Sequence, residues 1–388
     1  MIRGRLAPSP TGALHLGNAR TFLLAWLSLR AQGGQVVLRI EDLDGPRVKP
    51  ETVSQLIGDL QWLGLDWDEG PYVQTQRIPL YQAAWEQLAA AGQIYPCRCS
   101  RTDIERAASA PHVGDEGPPY PGTCRPKTAT PESTPFKTAQ PQLAQPQLAQ
   151  PHREHPELAR PELARPELAQ HELAQPELAP PTMTHAELTQ PRAAQAELPR
   201  VERTSNASDE RDPRERKPAW RFRVPAEAIP FDDGFSGPQV GNVAESSGDF
   251  VVWKGTGTAA YQLAVVVDDA AMAITEVVRG DDLLSSTPRQ LLLYQALGLA
   301  PPRFWHVPLV VGLDGRRLAK RHGDTRIRWF RESGVRPERL VGWLAWQCGL
   351  GEPGGSCVPA DLIDRFGWSK VPRERIVCDR ESVYRLLR

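Results

Sequence analysis

"IRGRLAPSPTGALHLGNARTFLLAWLSLRAQGGQVVLRIED", residues 2–42, decides the architecture. It opens as a short strand that breaks into a Pro/Gly turn at Pro8, Pro10 and Gly12. A strongly apolar helix follows and closes at Gly33, and the β-branched run "GQVVLRIED" then ends on acids. Downstream, "KPETVSQLIGDLQWLGLDW" reads as an amphipathic helix with Pro50 near its start, and "IPLYQAAWEQLAAAGQIY" as another. Strand, helix, strand, helix at short spacing predicts a doubly wound α/β fold, because parallel strands need crossover helices. Ligands of such a sheet collect at the carboxyl ends of its strands.

The 388 residues are 40% apolar and 24% charged, an ordinary globular balance with room for two or three domains. Proline departs from it: 38 residues are about twice the usual share of roughly 5%. The excess points to the segment from Lys127 to Lys217, where "PQLAQPQLAQPHREHPELARPELARPELAQHELAQPELAP" repeats every five residues. Proline at that interval forbids a continuous α-helix, and period five fits neither a solenoid nor a heptad. A disordered or partly extended insert without chemistry is expected there.

Order is expected to return at "AWRFRVP". The stretch "GDFVVWKGTGTAAYQLAVVVDDAAMAITEVVRGDD", residues 248–282, reads as two or three strands. Within it, "YQLAVVVDD" suits the centre of a parallel sheet. In "STPRQLLLYQALG", Thr287 is the expected N-cap and Pro288 the first helical residue. "RFWHVPLVVG" predicts one more strand and "DGRRLAKRHGD" a charged loop, with short helices from "PERLVGWLAWQCGLG" and "PADLIDRFG".

The N-terminus lacks the apolar core of a secretory signal, and no run approaches the roughly 18 apolar residues of a membrane span. A soluble cytoplasmic protein with no membrane partner is expected. In that reducing compartment clustered cysteines point to a metal or a reactive thiol rather than a disulfide. Three of the six cysteines fall in "YPCRCSRTDIERAASAPHVGDEGPPYPGTC", residues 95–124; Cys348, Cys357 and Cys378 read as packing or loop residues. The net charge of −1 argues against indiscriminate coating of nucleic acid, yet residues 301–388 carry 17 Arg and Lys against 10 Asp and Glu. That end could meet a phosphate backbone or be a solvated helical surface.

Two stretches carry chemistry. In "PSPTGALHLGN", His15 and Gly17 fall in the first turns of a helix, whose free N–H groups and positive dipole end suit a phosphate. In "RRLAKRHGD", Arg316, Arg317, Lys320 and Arg321 could fold over that site and neutralise phosphate charge. Alone, each has a bland reading, a surface histidine on a capped helix and a solvated basic turn.

Together, "HLGN" and "RLAKR" resemble the two signatures of class I aminoacyl-tRNA synthetases. "RLAPSPTGALHLGNART", "LRIEDLD", "YQLAVVVDD" and "EVVRGDDLLSSTPRQ" are similar, in order, to the glutamyl-tRNA synthetase group. The resemblance implies a Rossmann-like catalytic domain in two halves, 1–96 and 218–300. Between them it implies a zinc-binding insertion at 97–126 followed by the repeat insert at 127–217; the lysine loop and a short helical stem-contacting appendage occupy 301–388. It implies glutamate binding by Arg5, Leu6, Ala7, Pro8, Ser9, Glu41, Tyr261 and Arg279. Those types make sense: an acidic amino acid needs a guanidinium for a carboxylate and an acceptor for its ammonium. ATP, with Mg²⁺, would be met by His15, Gly17, Asn18 and Lys320, His15 and Lys320 being catalytic. The loop departs from the family pattern with Arg317 in place of lysine and Ala319 in place of serine.

Only 67 residues follow Arg321, short for an anticodon-binding part. With the cysteine stretch, this resembles the glutamyl-queuosine tRNA(Asp) synthetases, which activate glutamate without tRNA and transfer it to the queuosine base of tRNA(Asp). The resemblance implies one structural Zn²⁺ on Cys97, Cys99, Tyr120 and Cys124, and a monomer is expected. By residue chemistry alone His112 is the alternative fourth ligand, since imidazole is commoner on zinc than phenol. Alternatives in function are a truncated glutamyl-tRNA synthetase charging a 3′ end and a non-catalytic RNA-binding paralogue.

Overall fold

The computed structural model describes residues 1–44, 48, 50–100, 102–104, 119–127, 216–316, 318, 324–379, 381 and 386. All belong to one compact unit, Met1–Pro146 with Arg211–Arg388; a second unit, Gln147–Glu210, lies outside the described residues, as does most of the repeat insert.

Strands β1 (Arg3–Leu6), β2 (Gln35–Ile40) and β3 (Glu69–Val73) form a parallel sheet in that order, Arg3 opposite Gln35 and Leu6 opposite Leu38. Helices α1 (Leu16–Arg30) and α2 (Pro50–Trp62) make the two crossovers. α3 (Ile78–Ala90) leads into β4 (Ile94–Cys97), which pairs antiparallel with β5 (Ala219–Phe222), Cys97 opposite Ala219. The whole excursion from Arg98 to Pro218 therefore leaves and re-enters at neighbouring points of one ladder. A long insertion there costs little, because loop-closure entropy grows only with the logarithm of length.

β6 (Ile229–Asp233) and β7 (Gly237–Gly241) form a hairpin, followed by the single turn α4 (Val243–Ser246) and by β8 (Val251–Trp253), which pairs with β5. Then come α5 (Tyr261–Ala271), β9 (Glu276–Gly280), α6 (Thr287–Ala296) and β10 (Arg303–Val307), β9 and β10 being parallel. β1 borders the start of β9: Thr275 N–H donates to the Arg3 carbonyl at 2.8 Å and Arg3 N–H to Thr275 Oγ1 at 2.9 Å. Gly4 permits the close packing of α1 at this seam, since a Cβ there would stand 2.7 Å from Leu29 Cδ1. The chain closes with β11 (Val310–Val311), α7 (Ile327–Glu332), α8 (Pro337–Gln347) and β12 (Ile376–Val377), β11 and β12 pairing in parallel.

Two expectations are corrected. "YQLAVVVDD" is a helix, α5, and not a central strand. Its apolar run satisfies either reading, because a helix buried on most sides shows no clean period; Leu263 to Asp269 are all buried. Thr287 does not cap α6; Ser286 holds that position without a side-chain bond to the helix backbone, and the Thr287 hydroxyl turns inward to Arg279.

α1 is apolar nearly all round because sheet, α8 and the C-terminal region enclose it. Leu16, Leu23, Leu24 and Leu27 share one core with Leu6, Leu38, Phe330, Leu340, Leu344 and Cys348. Arg20 in its middle is wholly buried and donates to the carbonyls of Pro308 (2.7 Å) and Gln347 (3.3 Å). Cys348 and Cys378 are buried and Cys357 half-buried. Among the described residues no helix is long and apolar enough to cross a membrane.

Candidate active site

A cavity of about 570 Å³ opens at the carboxyl ends of β1, β2 and β9, the place a doubly wound sheet favours. Of the sequence candidates, Arg5, Ala7, Pro8, Ser9, His15, Gly17, Asn18, Glu41, Tyr261 and Arg279 line it together. Leu6 does not: it is fully buried in the core beneath, because side chains alternate faces along β1. Lys320, Arg317 and Ala319 lie outside the described residues.

His15 is the N-cap of α1, its Nδ1 accepting from the Asn18 N–H at 3.4 Å. That bond leaves the ring proton on Nε2, where it can be donated. A Cβ at position 17 would come within 3.2 Å of the imidazole Cε1, so glycine there keeps the ring in place. The turn is stitched to the segment that follows the lysine loop: Leu16 N–H donates to the Thr325 carbonyl (3.0 Å) and Ile327 N–H to the Leu14 carbonyl (2.9 Å). On the loop's other side, Val310 of β11 lines the cavity. The segment that follows the loop is thus anchored at the helix N-terminus.

The opposite wall is ionic. Glu41, whose N–H donates to the Pro8 carbonyl at 3.0 Å, is held by Arg39 Nη2 at 2.9 Å. Burial pushes its carboxyl above the usual range, and Arg39 and Arg5 pull it back. Arg39 Nη1 also reaches Asp269 on α5 at 2.6 Å, and Arg5 Nε lies 3.5 Å from the same carboxylate. Next to it, Asp268 accepts from Arg77 (2.6 Å), Tyr81 (2.8 Å) and Gln74 (2.9 Å). Tyr261, the first residue of α5, keeps 37% of its surface exposed on the cavity wall.

Arg279 is held differently. Its Nε donates to His306 Nε2, Nη1 to Gln290 Oε1 and Nη2 to Thr287 Oγ1, each at 2.9 Å. None of these acceptors is a carboxylate, and the pairing with Asp281 or Asp282 that sequence proximity allows is not what holds it. Burial lowers its pKa. The sequence reading passed over Arg39, Asp268, Asp269 and His306. Their signal was a charged or imidazole side chain inside an apolar run, in "VVLRIED", "AVVVDD" and "FWHVPL".

At the end of β4, the sulfurs of Cys97, Cys99 and Cys124 lie within 4.8 Å of one another. Cys99 and Cys124 are 3.5 Å apart, and the Tyr120 hydroxyl stands 3.4 Å from Cys97 Sγ and 3.9 Å from Cys99 Sγ. Tetrahedral zinc with bonds of about 2.0–2.3 Å implies ligand separations of roughly 3.5–3.8 Å, so the cluster could hold such a metal ion. Burial pushes the Cys99 thiol up to about 12 and the Tyr120 phenol upward too, so a cation bound there releases protons. Arg221 lies over the Tyr120 ring at 3.8 Å and donates to Cys97 Sγ at 3.3 Å, offsetting negative charge in the cluster. His112 lies outside the described residues.

The family of class I tRNA synthetases (E and Q), catalytic domain, matches residues 1–131 and 178–381. A glutamate tRNA ligase of Elizabethkingia meningosepticum, solved in complex with its amino acid, superimposes with a TM-score of 0.66. That match covers 99% of this chain and 68% of the other at 21% identity, a likeness of fold. Fold and site therefore define a class I aminoacyl-tRNA synthetase catalytic core. The Glutamyl-Q tRNA(Asp) synthetase of Symbiobacterium thermophilum is 41% identical over 99% of this chain and 98% of its own length, and that of Nitratidesulfovibrio vulgaris 39% identical over 100% and 98%. Glutamate--tRNA ligase 2 of Halorhodospira halophila is 36% identical, but this chain spans only 56% of it. The chain belongs to the glutamyl-Q tRNA(Asp) synthetase family.

Proposed function

We propose that this chain activates L-glutamate with ATP, without tRNA, and transfers it to the queuosine base in the anticodon of tRNA(Asp). The observation that carries the reading is the shared cavity, which sets Arg5, Glu41, Tyr261 and Arg279 against the N-terminus of α1. Arg279 and Arg5 bind the carboxylates of glutamate, Glu41 accepts from its ammonium, and Tyr261 closes the amino-acid side. The turn Ala7–Ser9 shapes the floor. Gly17 and Asn18 let the ATP phosphates approach the helix N-terminus, where His15 Nε2–H donates to them. Lys320 neutralises charge as pyrophosphate leaves, and Mg²⁺ bound with ATP supplies further neutralisation of the phosphates.

Activation is an in-line attack of the glutamate α-carboxylate on the α-phosphate. The new bond is carboxylate oxygen to phosphorus; the bond broken joins the α-phosphorus to the bridging oxygen, and pyrophosphate departs. A hydroxyl of the queuosine base then attacks the acyl carbon and AMP leaves. Positioning and preorganised charge carry such steps, with no covalent protein intermediate.

Cys97, Cys99, Tyr120 and Cys124 hold one structural Zn²⁺, which fastens the excursion between β4 and β5 and takes no part in catalysis. The protein acts as a monomer in the cytoplasm. ATP–pyrophosphate exchange with glutamate and no tRNA tests the reading. Exchange is expected in the wild-type chain and a fall of about 10²- to 10³-fold in Lys320→Ala, the cost of losing one preorganised charge. Absence of tRNA-independent exchange would favour a non-catalytic paralogue.

A further inference from the structure

We propose that Asp233 and His306 are positioning residues for Arg279, a relay in which Asp233 fixes the tautomer of His306 and His306 fixes the guanidinium. The proposal rests on the reading of Arg279 as a glutamate ligand.

His306 stands in β10, fully buried, with its ring stacked on Phe304. Asp233, at the end of β6, is nearly as buried. Its Oδ1 accepts backbone N–H groups from Phe235 (3.0 Å), Ser236 (2.7 Å) and His306 itself (3.2 Å). Three backbone donors fix the carboxylate as an ionised acceptor, and the interactions with His306 and these N–H groups outweigh burial to keep its pKa low. Its Oδ2, 2.6 Å from His306 Nδ1, can only accept there, which places the ring proton on Nδ1.

His306 Nε2 therefore carries a lone pair, and it meets the Arg279 Nε–H at 2.9 Å. The reverse tautomer would oppose two donors. Burial lowers the imidazole pKa, which keeps the ring neutral beside the arginine. Thr287 and Gln290 complete the cradle with neutral oxygens, and Gln290 is itself oriented by its bond to Gln262 (2.9 Å).

The arrangement has a consequence for specificity. A guanidinium has five N–H groups, of which the cradle uses three. One remains on each terminal nitrogen, a pair suited to one carboxylate. Because Asp233 acts through an imidazole, it orders Arg279 without pairing with it, and the charge stays available to the substrate. A carboxylate placed directly on Arg279 would order it equally well but compete with glutamate.

Glutamate-dependent ATP–pyrophosphate exchange tests this in five variants of the full chain. In Asp233→Asn the amide N–H₂ donates to His306 Nδ1 and drives the proton to Nε2. The KM for glutamate should rise on the order of 10- to 100-fold, the worth of one charge-assisted bond, with the KM for ATP and kcat within about threefold of wild type. His306→Leu should match it. His306→Gln, whose amide oxygen can accept from Arg279 Nε, should recover most of the affinity, and adding it to Asp233→Asn should rescue that variant. A purely structural role would give no rescue. Long-range ¹H–¹⁵N spectra of the wild-type chain, with the His306 ring assigned by its loss in His306→Gln, should show the Nδ1–H tautomer. An Nε2–H tautomer, or a folded Asp233→Asn with unchanged KM for glutamate, would overturn the relay. Arg279→Lys separates the two levels: an unchanged glutamate KM there overturns the glutamate-pocket reading itself.

Discussion

Arg39 and Glu41, two residues apart at the carboxyl end of β2, are joined by an ion pair of 2.9 Å, and the same guanidinium holds Asp269 of α5 at 2.6 Å. One buried cation thus ties Glu41 on the cavity wall to the helix across the site. Glu41 is held by one guanidinium from below, which leaves carboxylate capacity for a second cation from the cavity side.

If that cation is the ammonium of glutamate, Glu41→Gln should raise the KM for glutamate in the exchange assay by about 10- to 100-fold, the loss of a charge-assisted bond, while the KM for ATP stays near wild type. Equal loss for both substrates would assign Glu41 to folding instead.

Arg39→Leu strips Glu41 and Asp269 of a shared partner. Breaking a buried pair from one side costs about 3–5 kcal/mol, so urea unfolding should show a loss of that order. Arg39→Leu combined with Asp269→Leu should recover part of it, because the uncompensated carboxylate goes with its partner.

The cysteine cluster makes a metal prediction. The purified chain should contain one zinc, and Cys124→Ser should remove it and lower the melting temperature, since structural zinc contributes folding energy. Metal content by mass spectrometry alongside the melt checks this. Full zinc in Tyr120→Phe would move the fourth ligand elsewhere.

Asp59 on α2 supplies a pH dependence. It is 3% exposed, and burial raises its pKa from 3.8 to about 6 against the opposing pull of Arg331 and Arg328. A carboxyl raised in the folded state binds more protons there than in the unfolded chain, so its charge penalty is full above pH 6 and disappears as pH falls below about 4. Asp59→Asn should therefore stabilise the protein at pH 7–8, by on the order of 2 kcal/mol, and make little difference near pH 4.

Much of the fold was legible in residues 2–42, because the Pro8 to Gly12 turn, the apolar run of α1 and the β-branched β2 each carry a strong local signal. α5 was misread because Val265, Val266 and Val267 favour a strand in isolation. Tertiary burial on most sides makes them a helix, and only the paired acids at its end betray the arginines it faces. In the site, His15, Glu41, Tyr261 and Arg279 were legible from motif resemblance. The groups that hold them, Arg39, Asp269 and His306, come from distant parts of the chain and meet only on folding.

The central claim is most directly tested by locating the glutamate. Queuosine-containing tRNA(Asp) should be incubated with the chain, ATP and radiolabelled glutamate, then cut with a guanine-specific nuclease and its fragments separated. The label is expected on the anticodon-loop fragment, absent when the tRNA lacks queuosine and retained after removal of the 3′ adenosine. Label on the 3′-terminal adenosine would contradict it.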